Sequence, residues 1–151
     1  MRVAPTCIAF LLFSLAELTA QRENYSFERL TVDDGLSQNT VKCIFQDSRG
    51  FMWFGTEDGL NKYDGYKITV YDHNPLDANS LSHHSIISMC ESHETGVLWI
   101  GTNNGGVNRF DTRTGVFTHY MRDSTNPKSL ESNDVEAVLE DRSGTLWVGT
   151  P

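Results

Sequence analysis

Residues 47–56 read DSRGFMWFGT, residues 141–150 read DRSGTLWVGT, and between them residues 92–102 read SHETGVLWIGT. This phrase, written three times, decides the fold. Its tryptophans, Trp53, Trp99 and Trp147, are 46 and 48 residues apart. The likeness extends outward on both sides. Upstream stand LSQNTVKCIFQDSRG, LSHHSIISMCESHETG and LESNDVEAVLEDRSG; downstream stand GLNKYDG at 59–65 and GVNRFDT at 106–112. An aromatic segment follows, ITVYDHNP at 68–75 and VFTHYMRDSTNP at 116–127, and each reaches Asn-Pro before Ser-Leu restarts the cycle. A fixed period of this length is the signature of a repeat architecture.

One period reads as four short strands. Val41, Cys43 and Phe45 alternate with Lys42, Ile44 and Gln46, the two-residue period of a strand. Phe51 to Thr56, Leu60 to Tyr63 and Ile68 to Tyr71 are further short apolar-rich runs, separated by Asp-Ser-Arg-Gly, Glu-Asp-Gly and Asp-Gly turn chemistry. A single small sheet cannot bury both faces. Stacking such sheets radially solves this, which predicts an all-β fold, a β-propeller of about two and a half four-stranded antiparallel blades; a β-solenoid is the alternative. The tryptophan wedges between sheets. Gly55, Gly101 and Gly149 follow it by two residues, where another backbone is expected to cross too close for a side chain. Asp47, Gly50, Asp141 and Gly144 are read as turn formers, as is Gly96 in the second copy. There Ser92 replaces the aspartate and one extra residue lengthens the turn, which puts that hairpin's geometry in question.

The expected division is a leader at 1–20, an N-terminal outer strand within 21–35, repeats at 36–80 and 81–129, and a third repeat over 130–151 that stops at its second strand. Met1-Arg2, the apolar run CIAFLLFSL at 7–15 and Leu18-Thr19-Ala20 have the layout of a secretory signal peptide. That run is too short to span a bilayer. The net charge of −8 argues against nucleic acid and anionic lipid as partners and is silent on neutral ligands such as sugars. Cys43 aligns with Ser88 and Ala137, and Cys90 with Phe45 and Leu139, so both read as packing positions rather than a disulfide framework.

No constellation for catalysis stands out. His83-His84 is the one cluster among His73, His83, His84, His93 and His119. Adjacent strand residues point to opposite faces, so the pair is a poor metal site. Asp47, Glu140 and Asp141 could suggest glycosidase carboxylates, but Asp47 and Asp141 recur at a fixed hairpin position, which fits turn capping. No catalytic residue, metal or cofactor is expected. Candidate ligand-binding loops are Glu57–Asp58, Asp72–Ser80, His83–Ser85 and Asn103–Asn104, because propellers bind through loops that join strands.

The spacing Asp47…Gly50…Trp53-Phe54-Gly55-Thr56…Gly59-Leu60…Tyr63-Asp64 resembles the two-component regulator propeller repeat. Gly96, Trp99, Gly101, Thr102, Gly106, Val107, Phe110 and Asp111 carry the resemblance in the second copy, and Asp141, Gly144, Trp147, Gly149 and Thr150 in the third. It covers roughly residues 25–150. YSFERLTVDDGLS at 25–37 looks like the usual opening of such sensors, and its strand at 25–30 would close the ring of blades. The resemblance implies an N-terminal fragment of the periplasmic propeller of a Bacteroidetes-type hybrid sensor histidine kinase. The remaining blades, a membrane anchor and a kinase region acting in a phosphorelay would lie elsewhere in the protein. It further implies an oligosaccharide ligand, signalling through a homodimer, and no catalysis by these residues themselves. A free-standing glycan- or protein-binding propeller is the second reading and a periplasmic propeller lyase or hydrolase the third.

Overall fold

The computed structural model describes residues 25–151, and the expected leader lies outside them. Strands β1 (Val41–Gln46), β2 (Met52–Thr56), β3 (Gly59–Tyr63) and β4 (Ile68–Tyr71) pair in chain order as an antiparallel meander. Strands β5 (Ile86–Glu91), β6 (Val97–Thr102), β7 (Gly106–Asp111) and β8 (Val116–Tyr120) repeat it. Strands β9 (Ala137–Glu140) and β10 (Leu146–Gly149) form a third, two-stranded sheet. The first strands β1, β5 and β9 approach one another from sheet to sheet, so the sheets fan outward from a common inner edge. Such radial stacking leaves only short edges and is the propeller arrangement. Residues 25–30, read from sequence as an outer strand, belong to no sheet, and Phe27 is 93% exposed. A 3₁₀ turn follows at Val32–Asp34, capped by Thr31.

The core lies between sheets. Trp53, Leu60, Leu81, Ile86, Leu98, Ile100, Phe110 and Phe117 form one buried cluster joining the first sheet to the second. The Phe110 and Phe117 rings stack at 4.2 Å, and Trp53 meets Phe110 nearly edge-on. A smaller cluster of Val107, Val135 and Val138 joins the second sheet to the third.

One expectation is corrected in β1. The simple alternation through Val41, Cys43 and Phe45 breaks at its first step, because a β-bulge shifts the register between Val41 and Cys43. An extra residue turns the chain over. Val41, Ile44 and Gln46 therefore share one face, opposite Thr56, Phe54 and Met52, while Cys43 and Phe45 face the other way beside Gly55 and Trp53. The same shift occurs between Ile86 and Ser88 in β5.

Candidate functional site

The repeated phrase builds the seam between sheets. Asp47 Oδ1 accepts hydrogen bonds from the Arg49 and Phe51 amides, both at 3.0 Å, which closes the β1–β2 turn. Its Oδ2 accepts the Trp53 indole N–H at 3.0 Å. Asp141 does the same for Ser143, Thr145 and Trp147. One carboxylate thus fixes both a turn and the rotamer of the indole six residues beyond it. Burial raises the Asp47 pKa, but the indole, the Phe51 amide and Arg49 outweigh it and hold the carboxyl below its ordinary 3.8. Hydrogen bonding to the charged form always acts in this direction.

The second copy solves the missing aspartate differently. Its longer hairpin keeps its closing bond, from the Ser92 amide to the Val97 carbonyl at 2.9 Å, so the extra residue does not disturb the register. Trp99 donates its indole N–H to Glu140 of the next sheet, at 2.6 Å. Glu140 also accepts the His93 amide at 3.2 Å, as Glu91 accepts the Ser48 amide at 2.9 Å one sheet earlier. Sequence reading weighed Glu140 only as a possible glycosidase carboxylate and passed over Glu91; the signal for their clasp was their shared place one residue before the turn.

The glycines are seats for side chains, which corrects the expectation of a crossing backbone. A Cβ on Gly55 would lie 2.5 Å from Ile86 Cγ2 and 2.6 Å from Cys43 Sγ. A Cβ on Gly101 would lie 2.6 Å from Val135 Cγ1. Each glycine admits the β-branched residue that opens the next sheet. Gly59, by contrast, holds φ +102° at the β2–β3 turn, a conformation open to glycine. Gly50, Gly96 and Gly144 also take positive φ in the first turns. A second recurrent clasp, unread in the sequence, ties each entry loop to its sheet: buried Asn61 bonds Ser37 through both amide and hydroxyl, and buried Asn108 bonds Ser82 likewise.

The candidate ligand loops gather at one end. In a meander the β2–β3 turns and the connectors between sheets share an end, and the bonds confirm it. The Glu57 amide donates to the Thr40 carbonyl, Gly59 to His84, Asn103 to Ser85 and Gly106 to Asn133. Asn104, with φ +66°, donates its amide to Asp134 Oδ1 at 3.0 Å. A cavity of about 320 Å³ opens here, lined by Ile87, Asn103, Asp134, Val135, Glu136 and Pro151. His83 and His84 stack at 4.2 Å beside it in the entry loop of the second sheet. Burial, then His84 and His73, lower the His83 pKa, opposed by Asp134. Asp72–Ser80 does not join this rim as an open loop. Asn74, Asp77 and Ser80 bond one another's backbone and close it on itself.

The other predicted groups are dispersed. His73 Nδ1 meets the Leu81 carbonyl and His119 Nε2 the Ser80 carbonyl, both at 2.7 Å, so these rings pin the connector. His93 lies at the opposite end, in the β5–β6 turn. Among the described residues no group of three or more His, Cys, Asp or Glu is placed to hold a metal ion. Cys43 and Cys90 are free thiols, and burial pushes Cys43 up to about 11. Asp47 and Asp141 are taken up by their turns, as their recurrence suggested.

Wedge-shaped sheets with recurrent indole-carboxylate turns, fanned about one inner edge, define a β-propeller. Residues 35–58 and 129–151 match the family model described as "Two component regulator propeller". These two segments carry the two-component regulator propeller repeat, and the chain as a whole is similar to proteins built from it. It is 47% identical over 70 residues to "Histidine kinase P4" of Formosa agariphila, a match covering 46% of this chain and 5% of that protein. It superposes with a TM-score of 0.74 on the extracellular domain of BT3049, described as a hybrid two-component system, from B. thetaiotaomicron. There the identity is 34%, over 82% of this chain and 17% of the other. The extracellular domain of BT4673 from the same organism is 20% identical over 78% of this chain, with a TM-score of 0.42. The chain thus spans a small share of the relatives it matches.

Proposed function

We propose that this chain is part of the exported, periplasmic sensing propeller of a hybrid two-component histidine kinase, and that its connector end reads a neutral oligosaccharide. The superposition on the extracellular domain of such a system, over 82% of the chain at 34% identity, supports the sensor reading. The loop end supports the ligand class. It offers backbone and amide hydrogen-bonding groups at Asn103 and Asn104 beside a cavity, the pattern that binds polyhydroxylated ligands. Glu57, Asp58, Asp134 and Glu136 crowd the same rim, with Lys42 paired to Glu57 at 2.6 Å. An acidic mouth repels polyanions. In this reading the sheets are a rigid frame, the loops take the ligand, and no bond is made or broken here.

Thermal-shift and calorimetric titration of the chain with neutral xylo-, malto- and laminari-oligosaccharides, against oligogalacturonate and sulfated oligosaccharides, tests the ligand class. Saturable binding of a neutral series, weakened at least tenfold by Asn103→Ala, is expected. Equal or preferential binding of the anionic series overturns it. A fusion of the chain to alkaline phosphatase tests export separately: activity is expected, and its absence refutes the periplasmic assignment.

A further inference from the structure

Each entry loop closes on itself with one recurrent bond. The Thr40 amide donates to Gln38 Oε1, the Ser85 amide to His83 Nδ1 at 3.3 Å, and the Asp134 amide to Ser132 Oγ at 3.0 Å. The acceptor always stands two residues after the leucine that opens the loop (Leu36, Leu81 or Leu130), and the donor two residues further on. The clasped residue in turn holds the rim. The Thr40 carbonyl accepts the Glu57 amide, and the Ser85 carbonyl accepts the Asn103 amide at 3.0 Å. Gly105, in the same turn as Asn103, packs directly on His83: a Cβ there would lie 2.6 Å from His83 Cβ.

The three acceptors differ in one chemical respect. An amide oxygen and a hydroxyl take up no proton between about pH 5 and 8, whereas an imidazole does. An amide N–H can only donate, so Nδ1 of His83 presents a lone pair and the neutral ring keeps its proton on Nε2. A proton arriving from solvent at Nδ1 sets two donors against each other and removes the bond. The other titratable groups facing the ring are His84, stacked on it at 4.2 Å in the same loop, His73 on the preceding connector, and Asp134 on the next entry loop. Burial and the two imidazoles oppose that proton more than Asp134 favours it, so the folded pKa lies below the ordinary 6.5. The clasp is therefore complete above the ordinary value and is lost as pH falls through the lowered one.

We propose that His83 is a proton-operated catch on the ligand rim: protonation at Nδ1 releases the Ser85 amide, and with it the Asn103 turn that Ser85 holds. The first and third loops, with Gln38 and Ser132 in the same place, do not respond to the proton. The consequence for ligand affinity rests on the oligosaccharide reading above; the release of Ser85 does not.

Amide hydrogen exchange and histidine ring NMR of the chain, titrated from about pH 8 to about pH 5, read the catch without ligand. Protection of the Ser85 and Asn103 amides is expected to fall as the His83 ring takes its proton, while that of Thr40 holds. His83→Gln supplies the acceptor of the first loop and His83→Ser that of the third, so either variant keeps Ser85 protected throughout; the second serves should the first not fold. Neutral-oligosaccharide affinity is expected to fall by up to about tenfold per pH unit below the His83 midpoint, and to stay level in the variants. Ser85 protection that ignores the His83 titration, or that falls equally in both variants, overturns the proposal, as does wild-type binding that is level across the titration. Absence of binding at every pH, with Ser85 released on schedule, overturns the ligand reading and upholds the catch.

Discussion

Three nearly identical phrases place three tryptophans in three different environments, and their truncation should not cost the same. Trp53 is 0% exposed, clamped between the first and second sheets by Tyr71 and Phe110. Removing the ~200 Å² of apolar contact such a ring makes, at ~25 cal/mol per Å², gives about 5 kcal/mol, in line with the 3–5 kcal/mol of core Trp→Ala changes. Trp147 is 60% exposed on the open face of the third sheet, so about two-fifths of that burial, roughly 2 kcal/mol, is at stake. Both indoles donate to a turn aspartate, so the lost hydrogen bond largely cancels in the comparison. Trp99, half-buried and held by Glu140, falls between. The assay is urea denaturation followed by far-UV circular dichroism. With a slope of about 1–2 kcal/mol per molar, Trp53→Ala should lower the midpoint by at least ~1 M more than Trp147→Ala. Equal shifts for the two would refute the argument that sheet-to-sheet burial, rather than the local phrase, sets the energy.

Gly55→Ala forces a methyl to within 2.5 Å of Ile86 and should cost about 1–3 kcal/mol, partly recovered by Ile86→Ala, whereas Gly149→Ala should cost under ~0.5 kcal/mol; thermal midpoints of the variants decide it. Glu140→Ala strips the Trp99 and His93 donors of their partner and should destabilise by about 1.5–3 kcal/mol, with Ser92→Asp restoring part of the loss by supplying the carboxylate the other two copies have; a double-mutant cycle in urea measures the coupling. Asp47 has a depressed folded pKa, so its contribution is complete above the unfolded value near 3.9 and disappears as pH falls through the folded one; Asp47→Asn should therefore be less stable at pH 6 and show a shallower decline toward pH 2.5, read as urea midpoints against pH.

Much of the fold is legible because its determinants are local. Asp47 and Asp141 close their own turns, and the short apolar run of Phe51 to Thr56 sits between glycines that reverse the chain. These depend on neighbours within a few residues and leave a mark in every copy. What escaped reading acts over longer separations. Glu140 matters because it meets a tryptophan of the preceding sheet, and Asn61 and Asn108 because they meet serines of their own sheet's entry loop 24 and 26 residues away. No pattern of a few neighbouring residues encodes those meetings. The loop candidates show the same divide: Asn103 and His83–Ser85 converge, while Asp72–Ser80, equally polar on paper, spends its side chains on its own backbone.

By itself, then, the sequence determined that the chain is a repeat of small four-stranded sheets, since a turn and a strand need only nearby residues to form. Only the tertiary structure decided which face of each strand is buried and what the recurrent glycine is for. A single bulge at Val41–Cys43 reverses the facing of the residues around it, and the notch at Gly55 has meaning only once Ile86 of another sheet is placed in it. Burial is a property of two surfaces in contact, and the second surface lies a full repeat away along the chain.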